Sequence, residues 1–126
     1  MDTRTKILTP DAAPALEPTR PLLLVTGCFD ILRADLAREL AEARQRTQAQ
    51  TLAVVVQPWA PEILPLAARA EMAAALRVVD YVFIAQDEDL DSLASSLQPI
   101  EIIHLEEADS RRRRQLIEHV KRRQSC

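Results

Sequence analysis

A chain of 126 residues is long enough for one hydrophobic core and too short for two, and 48% apolar residues with a formal charge of −3 exclude a disordered tail. No apolar run approaches the roughly 20 residues that cross a bilayer, and none follows Asp2, Arg4 and Lys6 as it would in a secretory signal, so a cytoplasmic protein without membrane association is expected. The acidic balance makes nucleic acid an unlikely partner, and Cys28 and Cys126, without metal-ligand spacing, read as free thiols and give no metal site.

Residues 1–20 carry Pro10, Pro14 and Pro18 with no sustained period, which predicts a flexible leader ahead of a domain spanning 21–126. The domain then opens on LLLVT (22–26), followed by TLAVVVQ (51–57), YVFIA (81–85) and IEIIHL (100–105). These are short apolar runs rich in β-branched residues and read as buried parallel strands. Between them, Leu36, Leu40 and Ala43, then Leu66, Ala70, Ala73 and Leu76, then Leu90, Leu93 and Leu97 recur at helical spacing, and a last helix is predicted over 110–123. Strands alternating with helices predict an α/β fold: a Rossmann-like, doubly wound parallel sheet of about four strands in three α/β/α layers. Ligands of such sheets bind beyond the carboxyl ends of the strands, at a topological switch point.

The first strand ends at Gly27, the only glycine of the chain. A glycine between strand and helix allows close approach of a ligand, and the amides of a following helix end favour an anion; the competing reading is a tight turn and nothing more. A dinucleotide fingerprint is excluded, because the other two glycines are missing.

The stretch VTGCFDILRADLAREL (25–40) resembles the opening of the cytidylyltransferase-like nucleotidyltransferases, where a Gly-x-Phe-Asp turn leads into His-x-Gly-His at the start of a helix. AARAEMAAALRVVDYVFI (67–84) is similar to the family's Arg-x-Glu helix and Val-Asp-Tyr-Val strand, and LQPIEIIHLEEAD (97–109) stands where the family has a strand followed by a lysine–glycine loop. The likeness is closest to the adenylyltransferase domain of ADP-heptose synthases and to glycerol-3-phosphate cytidylyltransferases, and covers about Pro21 to Asp109. It implies a ligand set of Gly27, Cys28, Phe29, Asp30, Arg33 and Arg69, with a structural role equally open for Arg69.

The same resemblance implies that catalysis is lost. Arg33, Ala34, Asp35 and Leu36 occupy the four motif positions, so both histidines that would hold the phosphates are gone. Arg33 retains a forked cation suited to phosphate, whereas Asp35 places a carboxylate where the family binds an anion. At about 4 Å and surface-like dielectric that repulsion is roughly 1–4 kcal/mol. Glu106 and Glu107 replace the lysine–glycine loop, and Ser110 follows with no room for the family's next strand. The expectation is a degenerate nucleotidyltransferase with a binding or scaffolding role and at most a weak nucleotide or phosphate ligand. The alternative is an active enzyme moving AMP or CMP from ATP or CTP, with Mg, to a sugar or alditol phosphate, Arg33 standing in for a histidine.

Of the remaining features, His104 and His119 read as structural or surface histidines, and Trp59 as either a base-stacking residue or a plug. From Val78 to Asp109 there are nine acidic residues and no Lys or Arg, while Arg111 to Arg123 holds seven basic residues against Glu118. Leu116, Ile117 and Val120 give the last helix an apolar docking face, which favours packing over RNA binding. IEIIHL, with no strand after it, is a candidate sheet edge that needs a cover, and this predicts a homodimer or a protein partner.

Overall fold

The computed structural model describes residues 2–18, 20–27, 29, 36–58 and 65–105, with the side chain of Asp87 excepted. Two runs without a charged residue, β2 (Leu22–Gly27) and β3 (Thr51–Val56), are buried along their whole length and lie side by side, with Leu22 aligned to Thr51 and Gly27 to Val56. Burial on both faces is why they are continuously apolar instead of alternating. β4 (Tyr81–Ile84) pairs with β3, β5 (Glu101–His104) pairs with β2, and a two-residue strand β1 (Ile7–Leu8) pairs with β4. All pairings are parallel and the sheet order is β1-β4-β3-β2-β5.

Helices cover both faces. α1 (Leu36–Thr47) and α2 (Leu66–Ala74) bury Leu36, Leu40, Ala70, Ala73 and Ala74 against Leu23, Val25, Leu52, Val54, Val56 and Val82. On the opposite face α3 (Leu90–Leu97) buries Leu93 and Leu97 against Leu22, Leu24, Ala53, Val55 and Phe83. Each buried leucine contributes roughly 1.5–3 kcal/mol relative to exposure. The doubly wound, three-layer architecture is therefore present, with five strands where about four are expected from the sequence.

The fifth strand corrects the expectation for residues 1–20. Turns of 3-10 helix at Thr3–Lys6 and Pro10–Ala15 flank β1, Ala13 is buried in the α3 layer, and Lys6 Nζ donates to the carbonyls of Val79 (2.7 Å) and Leu76 (3.3 Å). This segment belongs to the domain. Its strand is too short for any periodic signal, and Pro10, which has no N–H to give, follows it closely. A second correction concerns IEIIHL: among the described residues it is parallel and lies at the sheet edge, as expected, but it is not buried, its side chains alternating between half-buried and exposed. The helix expected over 110–123 lies outside the described residues.

Candidate functional site

The chain leaves β2, crosses by α1 to β3 and by α2 to β4 on one face, then returns by α3 on the other face to land beyond β2. The order reverses between β2 and β5, so the topological switch point lies at their carboxyl ends, beside Gly27 and His104. The strand ends there are tied together. Leu105 N donates to Thr26 O at 2.8 Å, and Gln57 N donates to Gly27 O at 3.0 Å.

Four residues of the expected site fall among the described ones. Gly27 is buried in register with Val56 and has no positive φ. The left-handed conformation belongs instead to Phe29, at φ 54°, which seats its ring 1% exposed in the core beside α1. A non-glycine residue in that region costs about 1–2 kcal/mol, here offset by burial of the aromatic side chain. Leu36 opens α1 and is core. Arg69 is 0% exposed: it enters from α2, and its Nη1 donates to the carbonyl of Gln57 at 2.8 Å, just past the end of β3. A buried guanidinium remains charged and is costly unless hydrogen-bonded, so Arg69 acts here as a clamp between α2 and β3. Cys28, Asp30, Arg33, Ala34 and Asp35 lie outside the described residues, as do Trp59, Glu106, Glu107, Ser110 and His119.

Sequence reasoning missed one pairing. Thr26 Oγ1 and His104 Nδ1 are hydrogen-bonded at 2.8 Å across the switch point, with Thr26 buried and His104 exposed. The two residues are far apart in the chain, and only the strand order brings them together: in the register of β2 and β5, Thr26 aligns with His104. Among the described residues no group of three or more His, Cys, Asp or Glu side chains is placed to hold a metal ion, and no helix is long and apolar enough to cross a membrane.

A second cluster, at the amino ends of the strands, is structural. Arg44 donates to the carbonyls of Ala49 (3.2 Å), Val78 (3.0 Å) and Gln50, and its Nη1 lies 3.3 Å from Asp80 Oδ2. Asp80 Oδ2 in turn accepts from Leu52 N at 2.9 Å. The shallow depression around Arg44 is walled by backbone already engaged in these bonds.

No protein-family model and no curated protein matches the chain.

Proposed function

We propose that this chain is a cytidylyltransferase-like Rossmann domain that no longer transfers nucleotide and serves in the cytoplasm as a binding or scaffolding domain, assembled with a second copy or a protein partner. The observation that carries the reading is Arg69. The resemblance makes it a ligand residue, yet its side chain is fully buried and bonded to the end of β3. A cation sealed in this way and bonded to the end of β3 supports a structural role over a phosphate contact. Phe29, also buried, offers a ligand no side-chain surface, and Leu36 brings no imidazole to the first turn of α1. The fold alone does not carry an activity. What supports a residual binding role is the topological switch point, with His104 exposed beside it and Arg33 in the adjoining stretch of sequence.

The deciding experiment follows pyrophosphate release from ATP or CTP with Mg and a panel of sugar and alditol phosphates. Release at the no-protein blank is expected. Turnover above that blank, abolished by Arg33→Ala, overturns the reading in favour of an active transferase.

A further inference from the structure

We infer that the free side of β4 is a strand-acceptor site for an extended protein segment of the order cation, aliphatic, aliphatic, and that the chain's own Lys6, Ile7 and Leu8 occupy it as a displaceable guard. The site lies at the other margin of the sheet from the switch point and does not depend on the reading above.

β4 reads Tyr-Val-Phe-Ile, without a charge or a proline, and its Val82 and Phe83 are fully buried. β3 flanks it on one side; on the other its ladder partner is β1, whose Ile7 and Leu8 are aligned with Val82 and Phe83. Neighbours on a strand turn to opposite faces. Ile7 accordingly packs against the core beneath α1 and α2, and Leu8 against the core beneath α3. One residue earlier, Lys6 Nζ donates to the carbonyls of Val79 at 2.7 Å and Leu76 at 3.3 Å, shortly beyond the end of α2, where a cation is favoured. Three consecutive side chains therefore meet three different receptors, a pair of carbonyls and the apolar layer on each face, and their order is what the site reads.

The resident segment is lightly held. From Asp2 to Leu16 only Ala13 is buried. Outside the ladder, Lys6 makes the hydrogen bonds from this stretch to the rest of the described domain, whereas those of Arg4, Thr5, Ala12 and Leu16 stay within it. A segment with so little buried apolar surface opens locally, well before the core does. Arg20 limits how far: its Nη1 donates to the carbonyls of Leu97 at 2.6 Å and Gln98 at 3.3 Å and pins the chain shortly before β2.

Opening bares an apolar sheet edge that carries none of the charges or prolines by which such edges are blunted. A segment supplied by a partner protein restores the same ladder, the same two apolar contacts and the same cation, which is recognition by strand addition.

The test uses the full chain and a fluorescent peptide of residues 2–16. In native-state hydrogen exchange the amides between Arg4 and Leu16 are expected to exchange at least about a hundredfold faster than those of β2 and β3. Lys6→Gln, which leaves the apolar pair in place, is expected to quicken them about tenfold further and to leave β2 and β3 unchanged. In anisotropy titrations the Lys6→Gln and Ile7→Asp chains, whose resident segment is weakened, are expected to bind the peptide at least about tenfold more tightly than the wild type does. A peptide carrying Lys6→Gln is expected to bind them about tenfold more weakly than the unaltered peptide. Exchange between Arg4 and Leu16 as slow as in β2 and β3 overturns the displaceable guard. Fast exchange there without saturable binding of the peptide to either variant chain, or binding indifferent to the peptide's lysine, overturns the acceptor site.

Discussion

Replacing Arg69 separates a clamp from a ligand contact. Arg69→Ala removes the donor to Gln57 O, leaving a buried carbonyl short of a partner at a cost of about 1–3 kcal/mol. It also removes two buried methylenes of the stem at about 0.8 kcal/mol each. The sum is about 3–5 kcal/mol. With a urea dependence of about 2 kcal/mol per molar, the unfolding midpoint is expected to fall by roughly 1.5–2.5 M. Arg69→Met keeps the stem volume and loses the hydrogen bond, so its midpoint should fall between those of Arg69→Ala and the wild type. A residue facing a ligand behaves in the opposite way, with weakened binding and stability within about 0.5 kcal/mol of the wild type. An Arg69→Ala protein with an unchanged midpoint would therefore refute the clamp.

Ile7→Asp, which places a charge on the strand next to β4, is expected to destabilise the domain by about 1–3 kcal/mol in the same denaturation assay; a leader outside the fold would give no change. Gln48 and Gln98 adopt φ 58° and 49° at the ends of α1 and α3, so Gln48→Gly and Gln98→Gly should each stabilise by up to about 1 kcal/mol, read as a higher thermal midpoint. Thr26→Val should cost about 0.5–1.5 kcal/mol and shift the ring nitrogen resonances of His104, since it deletes the hydroxyl bonded to Nδ1; an unmoved imidazole spectrum would refute that bond. Asp35→Gly should raise nucleotide affinity in calorimetric titration more than Arg33→Ala lowers it, and equal effects would argue against charge repulsion as the cause of weak binding.

The middle of the sheet was legible because burial on both faces leaves a continuous apolar signature, as LLLV and LAVVV carry it. The same logic overstated the burial of IEIIHL, although its place at the sheet edge was legible: Ile102 is 38% exposed, since an apolar run identifies a strand but does not say which side of the sheet is covered. β1 was illegible for a different reason. Two residues between a charged turn and Pro10 acquire strand character only because Val82 and Phe83 of β4 lie beside them.

At the carboxyl end of β2, Gly27 has an ordinary negative φ, and among the described residues the left-handed turns fall at Phe29, Gln48 and Gln98. What distinguishes Gly27 is where it stands, where the ends of β2 and β3 are joined through its carbonyl to Gln57 N. Gln57 recurs in the clamp, since its own carbonyl accepts from Arg69. Thr26, the residue before Gly27, is bonded to His104 on β5. The polar groups that gather at the strand ends are thus bonded across from one element to the next, α2 to β3, β3 to β2, and β2 to β5. Groups so engaged hold the ends of the sheet in register, and a ligand that displaced them would have to break those bonds first.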